Sequence, residues 1–143
     1  MAVAISWFMG IKAFLIIQLP VVLIAHVFGL FLFYVQHQFD EVWWDREGKW
    51  DYKTAALQGS SFLKLPVILQ WFTGNIGFHH VHHLSSKIPN YKLERCHNEN
   101  EIFHNVKPIT VSTMFKSLDL NLWDEQKRQM VSFRQLRLAE KSM

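Results

Sequence analysis

The chain has 143 residues, of which 50% are hydrophobic and 15% aromatic, and its formal net charge is +3. That length suffices for one domain, and the 15 basic residues are interspersed with 12 acidic ones. Because no basic stripe results, we expect no nucleic-acid partner. The single cysteine, Cys96, excludes an intramolecular disulfide framework and a cysteine-based zinc site.

The charged residues are concentrated in the second part of the chain. Lys12 is the only one in residues 1–39, whereas residues 40–143 carry the other basic residues and all 12 acidic ones. No Asp, Glu, Lys or Arg occurs from Phe14 to Val35, and about 20 apolar residues suffice for a helix to cross a bilayer. We therefore predict a transmembrane helix at about residues 14–35, within a membrane-embedded segment of residues 1–39.

The flanking charges predict the orientation of this helix. Only Lys12 precedes it, and several basic residues follow it, namely Arg46, Lys49, Lys53 and Lys64. Because positive charge is enriched on the cytoplasmic side of membranes, we expect residues 40–143 to form a cytoplasmic or interfacial region.

The remaining segments complete the predicted fold. Residues 62–78 are apolar but interrupted by polar positions, which favours an interfacial helix. Residues 85–108 are interpreted as a loop, and Asp124 as the N-cap of a helix over residues 125–138. The predicted fold class is an all-α integral membrane protein with one transmembrane helix, an interfacial helix and a cytoplasmic helical cap.

A histidine cluster lies at residues 79–83, and His79, His82 and His83 within it follow the spacing H-x-x-H-H. On a helix these three positions share one face, so their imidazoles can converge on a metal ion. All-imidazole ligand sets suit zinc, copper, iron and nickel, which leaves the metal open. His80 lies about 100° around the helix from His79, which favours a role behind the ligands or at the surface.

Other residues are weaker candidates. His37 follows the predicted span and is interpreted either as a ligand or as an interfacial residue. Asn75 precedes His79 by four positions, and either orders a metal-bound water or serves the helix end. His26 lies inside the span, where we expect an interhelical hydrogen bond or a neutral packed imidazole. Two histidines are interpreted as surface residues, His97 and His104.

Two stretches carry a family resemblance. YVQHQFDEVWW (residues 34–44) and TGNIGFHHVHHLSSKIPNY (residues 73–91) resemble the C-terminal part of bacterial membrane-bound fatty acid desaturases of the acyl-lipid omega-6/delta-12 type. The motif H-x-x-H-H alone is shared with related hydroxylases and ketolases. The extended context LP-x-x-LQWFTGNIGFHHVHHL (residues 65–84) is more specific, and the resemblance also covers the tail around residues 118–125.

The resemblance implies a non-haem di-iron enzyme that uses O₂ to introduce a double bond into a fatty acyl chain. The cofactor would be iron, with two Fe in the complete enzyme. His79, His82 and His83 match the third histidine box of the family, and His37 matches an additional iron ligand. The implied partners are membrane lipids, an acyl chain linked to lipid, CoA or a carrier protein, and an electron donor such as ferredoxin or a cytochrome b5-type protein. The implied location is the bacterial inner membrane, with the histidine box on its cytoplasmic face.

The chain departs from the family pattern because the first and second histidine boxes are absent from it. We therefore expect a C-terminal portion that is inactive alone, unless it pairs with a complementary N-terminal desaturase fragment. Two alternatives stay open: a fragment of a related hydroxylase or ketolase, and a non-catalytic membrane module that holds a structural metal. The position and geometry of the double bond are not fixed by these residues.

Overall fold

The structure is a computed structural model that describes residues 2–46 and 48–141. The chain divides into two compact units, Met1–Phe33 and Tyr34–Met143. The first is helical throughout its described residues except Gly10, and the strands that the structure describes lie in the second.

Two helices account for the first unit. Helix α1, Ala2–Met9, ends at Gly10, whose φ of 80° lies in the left-handed region that glycine adopts without strain. Helix α2, Ile11–His37, has 27 residues. At the usual rise this is about 40 Å of helix, which exceeds the thickness of a bilayer core. The last turn of α2, from Tyr34 onward, belongs to the second unit.

Helix α2 is the one helix in the described part of the chain that is long and apolar enough to cross a membrane. The predicted helix at residues 14–35 is thereby confirmed as a helix, extended at both ends. Large apolar side chains along it are exposed, including Ile16 (63%), Leu19 (61%), Leu23 (65%) and Leu30 (67%). The imidazole of His26 donates from Nδ1 to the carbonyl of Val22 at 2.8 Å, so its hydrogen bond is intrahelical and not the expected interhelical one.

The second unit is built from short elements. After α2 come α3 (Tyr52–Gln58), β1 (Phe62–Lys64), α4 (Val67–Phe72), α5 (His79–Leu84), α6 (Asn90–Glu99), β2 (Pro108–Thr110), α7 (Val111–Met114), β3 (Leu122–Asp124), β4 (Gln129–Val131) and α8 (Phe133–Lys141). Three single 3₁₀ turns accompany them, at Ile76–Phe78, Glu101–Phe103 and Phe115–Asp119.

Two small sheets modify the predicted all-α fold. Strands β1 and β2 pair in parallel, with Leu63 opposite Ile109, and β3 and β4 form an antiparallel hairpin, with Trp123 opposite Met130. The protein remains mostly helical. Strands this short carry no clear alternating pattern, which explains why sequence periodicity missed them.

A hydrophobic cluster in the second unit holds α5 against α6. Its buried members are Phe78, Val81, Leu93 and Phe103. Phe78 and Val81 adjoin the histidines, whereas Leu93 comes from α6 and Phe103 from the 3₁₀ turn after it. The segment that carries the histidines is therefore held in place by its buried apolar side chains.

The segment before the histidines is not the continuous helix predicted for residues 62–78. It contains β1, helix α4 and a tight turn instead. The turn forms because Gly74 and Asn75 both take left-handed φ values, 63° and 59°, and two such residues in succession end a helix.

The predicted loop over residues 85–108 was wrong in part, because it contains α6. Leu93 is buried and Cys96 half-buried, and their spacing of three places them on one helical face toward the cluster. A short core-facing stripe within a polar sequence is easily missed.

Asp124 does not cap a helix, and the predicted helix over residues 125–138 begins only at Phe133. The Asp124 carboxylate instead accepts hydrogen bonds from the backbone N–H groups of Gln126 (3.0 Å) and Lys127 (2.9 Å), which closes the turn between β3 and β4. Helix α8 is preceded by a reciprocal cap in which Ser132 and Gln135 each bond the other's backbone N–H, at 3.2 and 2.7 Å.

Gly77 allows the closest backbone approach beside the histidines. A Cβ atom at this position would overlap the carbonyl oxygen of Leu63 and would lie 2.6 Å from Oε1 of Gln70. The Leu63 carbonyl belongs to strand β1 and cannot rotate away as a flexible side chain would. Glycine is therefore required for β1 to pack against the turn that leads into α5.

We expect the substitution Gly77→Ala to lower the free energy of unfolding by about 1–3 kcal/mol, as overpacking against fixed backbone does. Gly29→Ala is the matched control, because a Cβ there meets nothing within 4 Å and glycine is the poorer helix former. Thermal unfolding of both variants in detergent micelles, followed by circular dichroism, tests this. Equal melting temperatures for Gly77→Ala and the unsubstituted chain would contradict it.

Candidate metal centre

Three histidine side chains converge in the second unit. His37 is the last residue of α2, and His79 and His83 lie one turn apart on α5. Nε2 of His79 is 3.0 Å from Nε2 of His37 and 3.0 Å from Nε2 of His83. Each of the three rings offers one nitrogen, and these three nitrogens all lie within 4.8 Å of one another. His37, which the sequence left open as a ligand or an interfacial residue, thus lies beside His79 and His83, and its assignment as a ligand stays a prediction.

A hydrogen bond orients His37 for this role. Its Nδ1 lies 3.3 Å from the carbonyl oxygen of Gly59, which can only accept, so Nδ1 carries the proton. In a neutral imidazole the other nitrogen, Nε2, then has a lone pair that can accept a hydrogen bond or bind a metal ion. That lone pair faces His79. A backbone carbonyl that fixes the tautomer in this way is the usual support of a metal-ligating histidine.

The three Nε2 atoms cannot satisfy one another by hydrogen bonds. If His37 accepts, Nε2 of His79 donates its one proton to His37. The 3.0 Å contact between Nε2 of His79 and Nε2 of His83 then has no proton of His79 left for a hydrogen bond. A bound cation would satisfy all three lone pairs together. Two ligand nitrogens about 2.1 Å from one ion and at right angles lie about 3 Å apart, as the two pairs that include His79 do. All three donors lie within 4.8 Å of one another, so the group could hold a metal ion.

His79 is the most buried member of the group, at 7% exposure. Burial, and after it the imidazoles of His83 and His37, lowers the pKa of His79 from 6.5 to about 3. Partial burial, followed by His37 and His82, also lowers the pKa of His83. Both rings are therefore neutral near pH 7, the form in which imidazole binds metals. Nδ1 of His79 is buried and has no hydrogen-bond partner among the described residues.

The structure places His82 outside the converging group. Its ring is half-buried, with its centroid 5.9 Å from that of His79 and 6.2 Å from that of His83. The side chains of His79 and His83 therefore converge with that of His37, whereas the side chain of His82 lies beside this group. Its assignment as a ligand remains a prediction.

Asn75 and His80 serve neighbours of the site. The side-chain amide of Asn75 donates to the carbonyl of Asn90 at 3.1 Å, which ties the turn before the histidines to the start of α6. His80 is fully buried, and its Nε2 lies 2.9 Å from Nδ1 of His97. The predicted role of Asn75 in ordering a metal-bound water stays a prediction.

Burial lowers the pKa of His80 to about 4, with a further contribution from His97. The backbone of Ser61 opposes this effect in part, although Nδ1 of His80 lacks a partner at regular hydrogen-bond geometry. The pKa of His97 is lowered as well, mainly by burial and then by His104. His97, interpreted as a surface residue, is half-buried in the structure, whereas His104 is exposed as expected.

Sequence reasoning missed two further supports. The carbonyl of Gly59 leaves no sequence signal, because any residue has one. Tyr52 donates its hydroxyl to the carbonyl oxygens of His83 (2.8 Å) and Leu84 (2.9 Å), and so satisfies the end of α5. His97 could have been recognised, because it lies four residues after Leu93 and hence on the same face of α6.

A cavity of about 530 Å³ lies elsewhere in the second unit, beside the segment after α3. The buried residues Ser60, Ser61 and Ser117 line it together with Lys107. No histidine of the described chain lines this cavity. We therefore assign it no part in metal binding.

The fold and the site define a class of protein, a mostly helical chain with a membrane-length helix and a group of histidines that could hold a metal ion. The family model of fatty acid desaturases matches residues 1–109 of the chain. A curated relative described as "Fatty acid desaturase", from Bacillus subtilis (strain 168), is 50% identical over 137 residues. The chain therefore belongs to the fatty acid desaturase family.

The match to this relative covers the two proteins unequally. It includes 96% of the chain but 39% of the relative, so the chain spans well under half the length of the protein that it resembles. No solved structure matches the chain.

We expect the purified chain to bind Co²⁺ through the converging histidines. His79→Ala should weaken binding by more than about tenfold, because it removes the nitrogen that lies between the other two. His104→Ala is the control, since His104 is exposed and outside the group. Titration in micelles with visible absorption measures both. Unchanged Co²⁺ affinity of the His79→Ala variant would show that Co²⁺ does not bind through the converging histidines.

Metal-free stability should fall as pH falls from about 6.5 toward 5. Unfolding returns the pKa of His80 from about 4 to its ordinary value of 6.5, so between those values the unfolded chain binds more protons. The free energy of unfolding should therefore rise with pH in this window, by about 1–3 kcal/mol, and level off above about pH 7.

Thermal unfolding with a chelator present, at about pH 5 and about pH 7.5, measures this pH dependence. The variant His80→Gln should lose part of the slope, whereas His104→Ala should retain it. Equal melting temperatures of the unsubstituted chain at both pH values would be incompatible with a buried neutral His80.

Proposed function

We propose that the chain is the C-terminal part of a non-haem iron enzyme that introduces a double bond into a fatty acyl chain with O₂. The convergence of His37, His79 and His83 carries this proposal, because those donors lie in the segment that matches the fatty acid desaturase family. The name of the 50% identical relative supports the reaction class.

The chain's own residues supply a preformed part of the iron site. The carbonyl of Gly59 holds the proton on Nδ1 of His37 and directs its Nε2 toward His79. Burial keeps His79 neutral and limits the access of water. Bound iron would supply the activation of O₂ that removal of hydrogen from an unreactive methylene pair requires.

The remaining ligands of a two-iron centre would come from His82 and from residues outside this chain. His82 lies one ring away from the converging group, which suits a ligand of the second iron. The two other histidine boxes expected for the family would be supplied by a complementary N-terminal desaturase segment. For this reason we propose that the 143-residue chain alone does not catalyse desaturation.

The membrane arrangement follows from exposed apolar surface and from charge. Helix α2 would cross the bacterial inner membrane, with the histidines on its cytoplasmic face, where the basic residues follow. Helix α4 would lie at the membrane surface. Its exposed side chains are Val67 (84%), Ile68 (70%), Trp71 (73%) and Phe72 (73%), a set typical of an interfacial helix.

The proposed reaction requires two partners. The substrate would be a fatty acyl chain linked to a lipid, CoA or a carrier protein. Electrons would come from a ferredoxin or a cytochrome b5-type protein, because desaturation consumes O₂ and two external electrons together with the two removed from the substrate.

A chimera tests the proposal. The chain replaces the matching segment of the Bacillus subtilis relative, and the membrane lipids of expressing cells are analysed by mass spectrometry. We expect new unsaturated acyl chains from the chimera, none from the 143-residue chain alone, and none from the chimera with His79→Ala. An immunoblot of membranes confirms equal protein levels.

Each other outcome would identify a different error. Hydroxylated lipids without new double bonds would favour a hydroxylase, and double bonds formed by the isolated chain would overturn its proposed inactivity. A chimera that is present in membranes, contains zinc but no iron, and makes no product would favour a structural metal.

A further inference from the structure

We propose that His97 is a positioning residue, which sets the orientation of α5 and thereby of the metal-facing histidines through its hydrogen bond to His80. The idea rests on the metal centre of the proposed function and adds a residue outside the histidine box. His97 lies on α6, fourteen residues after His83 in the sequence.

His80 points away from the metal centre. It follows His79 on α5, yet its ring contacts Phe62, Phe103 and His97, with centroid distances of 5.6, 5.4 and 5.0 Å. Its side chain is fully buried. His79 and His80 thus face different directions, about 100° apart around one helix, so a rotation of the helix moves both side chains together.

His97 is held in place by aromatic rings. Its centroid lies 4.6 Å from that of Phe62, 5.4 Å from Phe78 and 6.1 Å from Phe103. These contacts restrict its ring while Nδ1 approaches Nε2 of His80 at 2.9 Å. One proton between the two nitrogens makes a hydrogen bond, in either direction, with both rings neutral.

Helix α5 depends on such contacts because it has six residues. A helix this short is not stable by its own hydrogen bonds, so its rotation is set by the side chains that anchor it. Tyr52 holds its C-terminal carbonyls, and the described residues provide no side-chain cap at its N-terminal end, next to His79. The bond between His80 and His97 is a polar contact close to that end.

Loss of the His97 imidazole would leave a buried nitrogen of His80 without its partner. A buried polar group without a partner is unfavourable, and His80 can reduce this cost by turning toward solvent. This reorientation of His80 would rotate α5. Nε2 of His79 and Nε2 of His83 would then move away from their positions beside His37. The expected consequence is weaker metal binding without loss of any ligand.

Three variants separate the hydrogen bond from packing. His97→Ala removes both, His97→Phe keeps a ring among the aromatic side chains but removes the hydrogen bond, and His97→Asn places an amide near the position of Nδ1. His104→Ala is the control, because His104 is exposed and its Nε2 donates to the carbonyl of Asn98.

The first measurement is Co²⁺ titration of the 143-residue chain in micelles, followed by the visible bands of the bound ion. We expect His97→Ala and His97→Phe to bind about 10–100-fold more weakly with altered bands, and His97→Asn to recover most of the affinity. His104→Ala should bind as the unsubstituted chain does. Unchanged affinity and bands in His97→Phe would overturn the proposal.

The second measurement is hydrogen–deuterium exchange of the metal-free chain, which does not depend on the proposed function. We expect faster exchange in α5 of His97→Phe and His97→Ala, with α3 unchanged, and restoration in His97→Asn. Uniformly faster exchange over the whole chain, or no restoration by Asn, would reduce His97 to a general packing role and overturn the proposal.

The two failures are distinguishable. If the unsubstituted chain bound no Co²⁺ but the exchange of α5 still responded to His97, the metal centre would be wrong and the positioning role would stand. If Co²⁺ bound equally to all variants and the exchange of α5 did not change, the metal centre would stand and the role of His97 would be refuted.

Discussion

The structure depends on holding three imidazole nitrogens close together while their rings stay neutral. Nε2 of His79 lies 3.0 Å from those of His37 and His83, a separation that would be strongly unfavourable for charged rings. Burial lowers the pKa of His79 far below its usual value and removes that repulsion. The single proton that Nε2 of His79 can carry serves only one of these two contacts, and a bound metal ion would satisfy both.

Such a convergence requires supports from several separate segments, because helix α5 is too short to fix its own orientation. Gly77 allows strand β1 to approach from one side, and Tyr52 holds the carbonyls at the other end. The carbonyl of Gly59 selects the tautomer of His37. None of these supports is a ligand, yet each restricts where a ligand nitrogen can lie.

The shared helical face of His79 and His83 and the long apolar helix could be predicted from the sequence because both are local. The spacing of His79 and His83 places them on one face of any helix, and α2 is recognisable from its uncharged length. The hairpin of β3 and β4 could not, because three-residue strands carry no period. The partner of His80 depended on where the predicted loop folds, and only the tertiary structure places His97 beside it.

Two features of the site lack a counterpart among the described residues. Nδ1 of His79 is buried with no acceptor among the described residues, and a histidine that binds metal through Nε2 needs an acceptor for that proton. His82 faces a neighbouring point that the described donors do not enclose. The chain spans 39% of its relative, so a carboxylate or carbonyl for His79 and partner ligands for His82 are what we expect the remaining length to contribute.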